Sequence, residues 1–214
     1  MDKQHVSITT PAIKSPVARF LFAHGAGASM DTDFMVNIAE GLAAQQIEVV
    51  RFNFPYMQTM SETGKRRPPN RMPALLEYFT ELVNGVDDGL PLFIGGKSMG
   101  GRASTMLATQ SELKNPIKGV LALGYPFHPA GKPDKLRIDH LPDMLAPCLI
   151  IQGDRDSMGN QQDIAGYNLP NQLEVAYLTD GEHGFKPRKA SGVTLQDNLA
   201  IAIAHMVRFI NDNR

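Results

Sequence analysis

Short apolar runs recur along this chain, separated by segments with helical spacing, and this alternation constrains the fold more than any other feature. The runs are Ala18–Ala23, Ile47–Asn53, Pro91–Gly95, Gly119–Leu123, Cys148–Gln152 and Glu174–Leu178. Most are continuous rather than alternating, as strands covered on both faces are. Strands alternating with helices imply an α/β chain with a mostly parallel sheet and crossover helices on both faces. His5–Thr9 does alternate, which suits an antiparallel edge strand.

Between the runs, Phe34, Ile38 and Leu42 mark a helix with Asp31 or Thr32 as its N-cap. Leu75, Leu76, Phe79, Leu82 and Val83 mark a second, with Pro73 near its first turn. A third follows Ser98 and carries Thr105, Met106 and Leu107. A last one spans about Thr194 to Ile210, with Leu195, Leu199, Met206 and Ile210 toward the sheet. Pro55 to Met72 and Gly124 to Pro142 break the rhythm and read as irregular loops; neither is long enough for a separate cap domain. Without repeats or linkers, residues 1–214 read as a single domain.

A net charge of −1 gives no field to hold nucleic acid or an anionic membrane, so neither is expected as a partner. Met1-Asp2-Lys3-Gln4-His5 leads into no apolar signal region, and no apolar stretch reaches bilayer length. The cytoplasm is the expected location. The single cysteine, Cys148, lies in an apolar run and reads as a buried thiol.

Chemistry concentrates at Gly96-Lys97-Ser98-Met99-Gly100, a G-x-S-x-G sequence between an apolar run and a helix. In that context the motif is a nucleophile elbow: the chain reverses so sharply that positions two before and after the serine must lack bulk. Gly96 and Gly100 meet that demand. The turn also aims the first N–H groups of the helix at the reaction site, where they favour negative charge. The spacing fits a phosphate loop poorly, because the position that needs its first glycine is Pro91.

A serine hydroxyl needs a general base, and the base an orienting acid. His183, in Thr179-Asp180-Gly181-Glu182-His183-Gly184-Phe185, follows a strand in a glycine-flanked loop and is the candidate base. His205 falls inside the last helix, and His128 and His140 read as solvated loop residues. Asp154 and Asp156 both follow the Cys148–Gln152 strand, where either can supply the acid, while Asp180 is too close to His183 in sequence to be its partner. Lys65, Arg66, Arg67 and Arg71 leave the carboxyl end of a strand and, with Tyr56, are candidates for binding the substrate or an anionic group on it. Lys97 must satisfy a charge beside the nucleophile.

Taken in order, His24-Gly25-Ala26-Gly27, Gly96–Gly100, Gly153-Asp154-Arg155-Asp156 and Gly181-Glu182-His183 resemble the α/β-hydrolase superfamily. The likeness runs from Ala18 to Ile210, and is strongest to the small dienelactone-hydrolase-like branch. Arg51–Tyr56 and Gly96–Arg102 resemble a subfamily that includes a testis-expressed hydrolase-like protein and a chromatin-complex subunit. The resemblance implies an α/β-hydrolase fold without a large cap and, by its G-x-x-D spacing, favours Asp156 over Asp154. It implies an oxyanion hole from the N–H groups of Met99 and Ala26, with His24 organising the loop. It also implies hydrolysis of a small ester or thioester with no metal or cofactor. Dienelactone hydrolases use cysteine where this chain has Ser98, so their substrate is not carried over. The alternative is an interaction module that keeps the fold without turnover.

Overall fold

The computed structural model describes residues 5–86 and 89–214; the reading of Met1–Gln4 falls outside them. Every apolar run above is a strand. In chain order the strands are β1 (Val6–Thr9), β2 (Ala18–Ala23), β3 (Ile47–Phe52), β4 (Leu92–Lys97), β5 (Ile117–Leu123), β6 (Cys148–Gly153) and β7 (Leu173–Leu178). They form one seven-stranded sheet in the order β1-β3-β2-β4-β5-β6-β7. All pairings are parallel except that of β1, which lies antiparallel to β3 at the edge.

Because side chains alternate across a strand, each strand feeds two cores. Leu21, Val50, Phe52, Ile94, Val120 and Ile150 face one layer. Helices α2 (Pro55–Thr63), α3 (Met72–Asn84), α4 (Met99–Leu107) and the short α5 (Gln161–Ala165) contribute to that layer. Phe20, Phe22, Phe93, Leu121, Leu149 and Ile151 face the other, against α1 (Asp33–Ala43) and α6 (Leu195–Asn213). Helices therefore cover both faces, and the described residues form no large cap. No described helix is long and apolar enough to cross a membrane.

Thr32 is the N-cap of α1, without a side-chain cap bond. The α6 cap is firmer. Thr194 accepts from the Asp197 amide at 3.1 Å, and Asp197 accepts from the Thr194 amide at 2.8 Å. Leu199, Met206 and Ile210 are buried, and Leu195 packs at the rim of the same core.

Two expectations are corrected. Pro55–Met72 is not all loop: its first half is α2, opened by Pro55 and ended by Gly64 in the left-handed conformation at φ 68°. The helix hides only Tyr56 and Met57, too few apolar positions to show a period. His128 is buried rather than solvated, and His140 is partly buried with its Nε2 2.9 Å from Thr105 Oγ1. Gly124–Pro142 is irregular but packed, with Tyr125 and Phe127 fully buried.

Candidate active site

All parallel strands deliver their carboxyl ends to one edge of the sheet, and the candidate residues collect there. Ser98 directly follows β4 and caps α4 at φ 51°, ψ −110°, a strained conformation for a residue with a side chain. Its amide donates to the Leu123 carbonyl at 2.9 Å, and its carbonyl accepts from the Arg102 amide at 3.0 Å. The reversal is tight enough that a Cβ on Gly96 would stand 2.6 Å from the Ala23 carbonyl oxygen. One on Gly100 would stand 2.5 Å from the same atom.

His183 Nε2 lies 2.9 Å from Ser98 Oγ, and its Nδ1 lies 2.8 Å from Asp156 Oδ2. The tautomer that serves both contacts carries its proton on Nδ1, donates to the carboxylate and accepts from the serine hydroxyl. Asp156 is fully buried and its carboxylate is fixed on both sides. Oδ1 accepts from the Met158 amide at 2.8 Å, and Oδ2 also accepts from Gln152 Nε2 at 2.9 Å. Buried Gln152 further donates to the Tyr125 and Gly159 carbonyls and accepts from the Tyr125 amide. It ties the acid to the end of β5, a role no motif announced.

Asp154, two residues earlier, points elsewhere. Its Oδ2 accepts from the Asp180 amide at 2.9 Å, bracing the histidine loop. Asp180, at φ 53°, pairs with Arg155 and Arg188. Its bond to Arg188 is the main reason that its carboxyl is held down to about 2. Both aspartates therefore serve the loop, and only Asp156 touches His183.

The loop after β2 packs against the elbow: a Cβ on Gly25 would lie 3.7 Å from Ser98 Cβ. His24 is fully buried there. Its Nε2 accepts from the Phe54 amide at 3.0 Å, so Nδ1 carries the proton and donates to the Gly25 carbonyl at 2.8 Å. Burial lowers its pKa to about 4 and keeps it neutral. The Ala28 amide and Tyr56 hydroxyl also approach that carbonyl, at 3.4 and 3.5 Å. In a trans peptide the N–H points opposite the C=O, so fixing the Gly25 oxygen turns the Ala26 N–H the other way. Neither the Ala26 nor the Met99 amide has an acceptor among the described residues.

Lys97 reaches back beneath His183. Its Nζ donates to the His183 carbonyl at 2.5 Å and lies 5.6 and 5.5 Å from the Phe34 and Phe185 ring centres. Burial lowers its pKa to about 8, against the pull of Asp156 and Glu182. Gly124 is obligatory here, since a Cβ would strike Lys97 Nζ and stand 2.8 Å from the His183 carbonyl oxygen.

The residues proposed for substrate contact are not gathered in the same way. Tyr56 is buried against the Gly25–Gly27 loop, its hydroxyl accepting from the Gly27 amide at 3.3 Å. Tyr56 and Arg67 line a cavity of about 350 Å³ that Ser98, Asp156 and His183 do not line. Arg66 and Arg67 are exposed. A second cavity, about 310 Å³ and mostly apolar, lies beside Gly25 and Lys97, walled by Ala28, Phe34, Leu195 and Leu199.

Comparison with known proteins agrees with this fold. The model of an α/β hydrolase domain family matches residues 16–211. An α/β serine hydrolase homologue from Coxiella burnetii superposes with a TM-score of 0.69 at 16% identity, over 95% of this chain and 89% of that one. Dienelactone hydrolase from Anabaena variabilis gives 0.69 at 19%, over 97% and 91%. A lidless α/β serine hydrolase from Xanthomonas campestris gives 0.66 at 24%, over 95% and 87%.

Proposed function

The chain belongs to the α/β hydrolase domain family, and from that premise we propose that it cleaves a carboxylic ester or thioester through an acyl-enzyme on Ser98. The observation that carries this reading is the unbroken hydrogen-bonded line from Ser98 Oγ through His183 to buried Asp156. His183 Nε2 takes the hydroxyl proton as Ser98 Oγ attacks the carbonyl carbon. The Ala26 and Met99 N–H groups receive the oxyanion, and Asp156 stabilises the imidazolium. Collapse expels the alcohol or thiol, protonated by His183. Water, deprotonated by His183, then attacks the acyl-enzyme, and the acid leaves as Ser98 regains its proton.

The apolar cavity beside Gly25 suits an uncharged part of a small substrate, such as a short acyl chain. The serine hydrolases among the structural neighbours support the same chemistry. The test is labelling with a fluorophosphonate probe. Folded wild-type protein is expected to label and Ser98→Ala to remain blank. Well-folded wild type that takes no label overturns the reading in favour of an interaction module on the same fold. A series of p-nitrophenyl esters of increasing acyl length then measures the cavity's reach.

A further inference from the structure

On β6 the side chains of Cys148 and Ile150 point into one apolar layer, and the next position on that face is Gln152. A primary amide is costly there unless its hydrogen bonds are met, and Gln152 is fully buried. Its Oε1 accepts from the Tyr125 amide at 2.8 Å, which fixes the orientation of the group. Turned over, it would set an N–H against an N–H and an oxygen against three oxygens.

The amide nitrogen has more acceptors than protons. Nε2 lies 2.9 Å from Asp156 Oδ2, 2.9 Å from the Gly159 carbonyl and 3.1 Å from the Tyr125 carbonyl, yet it carries two hydrogens. The Tyr125 carbonyl already accepts from the Phe127 amide at 3.0 Å, whereas the Gly159 carbonyl has no other donor among the described residues. The ionised oxygen makes the strongest claim. The two protons therefore go to Asp156 and Gly159.

That donation falls on the oxygen that also receives His183 Nδ1–H. Asp156 is shielded from water, so its charge is met by three groups among the described residues: the Met158 amide, Gln152 and His183. Each donor spreads the charge and weakens its pull on an imidazolium. The other charged groups nearby are engaged elsewhere. Lys97 donates to the His183 carbonyl, Glu182 accepts from the Gly184 amide, Asp154 accepts from the Asp180 amide, and Asp180 pairs with Arg155 and Arg188. We propose that Gln152 is a positioning residue that sets the working pH of the triad. By sharing Asp156 Oδ2 with His183, it limits how firmly the carboxylate holds a protonated imidazole. This rests on the esterase reading above and adds what tunes its base.

The full-length wild type and Gln152→Met are followed with p-nitrophenyl butyrate from about pH 5 to 9. Methionine has a similar length and no donor. The acid-side fall in kcat/KM is expected to lie about 0.5–1 pH unit higher in the variant, with KM little changed. A rate lowered by the same factor at every pH leaves Gln152 a packing role and overturns the proposal. Gln152→Glu guards against a loss of folding, since one oxygen can still accept from the Tyr125 amide. Its other oxygen can donate to Asp156 only while protonated, so its activity relative to wild type should fall as pH rises; a constant ratio also counts against the proposal. Nitrogen-15 NMR of His183, without substrate, reads the same property apart from turnover. The imidazole of Gln152→Met is expected to stay protonated to higher pH than that of wild type. If wild type hydrolyses no ester but this shift is present, the esterase reading falls and the role of Gln152 stands. If the ester turns over and neither the profile nor the NMR titration moves, the role of Gln152 falls and the esterase reading stands.

Discussion

Single residues show both the reach and the limit of the sequence. Ser98 and His183 were legible because an elbow and a glycine-flanked strand-end loop are local patterns. Choosing between Asp154 and Asp156 needed the resemblance, since both follow β6. The turn that separates them, with the Asp156 amide on the Gly153 carbonyl, sends one to the Asp180 amide and the other to His183. The partner of Lys97 could not be read at all, because it is a backbone carbonyl 86 positions away. That contact makes Lys97 a positioning residue. Its ammonium persists below about pH 8 and is lost above. Lys97→Met should slow p-nitrophenyl butyrate hydrolysis about tenfold at pH 7, and the wild-type advantage should shrink as pH rises past 8. A pH profile of the two proteins checks this; a constant ratio would assign Lys97 a packing role only.

Among elements, strands were more legible than helices. A parallel strand buried on both faces is a dense apolar word, whereas α2 buries two side chains and is followed by Lys65-Arg66-Arg67-Pro68-Pro69, which hides it. The helix that matters most to the site from a distance is α6. In its first turns buried Asn198 donates to the Thr179 carbonyl at 3.1 Å and to the Phe185 carbonyl at 2.8 Å, the two flanks of the His183 loop. Asn198→Ala leaves two carbonyls unpaired, which is expected to cost about 1–3 kcal/mol and to lower kcat by loosening the histidine. Thr194→Ala, which removes only the cap, should cost about 1 kcal/mol with kcat unchanged. Urea denaturation and steady-state kinetics on both variants separate cap from loop.

At the scale of the whole molecule, the sequence conveyed the layered plan but not the strand order, because pairing between distant segments leaves no local trace. The same packing gives the fold an acid weakness. His24 takes a proton at about pH 4 when folded and near 6.5 when unfolded, so its burial favours the native state only while the imidazole is neutral. As pH falls from about 6.5 toward 4 the unfolded chain gains a proton that the folded one refuses. The expected loss is about 3 kcal/mol. Urea midpoints at pH 7, 5.5 and 4.5 should fall more steeply for wild type than for His24→Asn. The elbow carries a different consequence, one of mutational tolerance. A Cβ at Gly95, Gly96, Gly100 or Gly101 meets backbone atoms closer than any real contact allows, whereas the Ser98 side chain stands partly free at the cleft. Swapping the reacting atom asks little of its surroundings, while any enlargement of the glycines that hold it asks several strands to move. A lineage built on this turn can therefore exchange its nucleophile far more readily than it can reshape the turn.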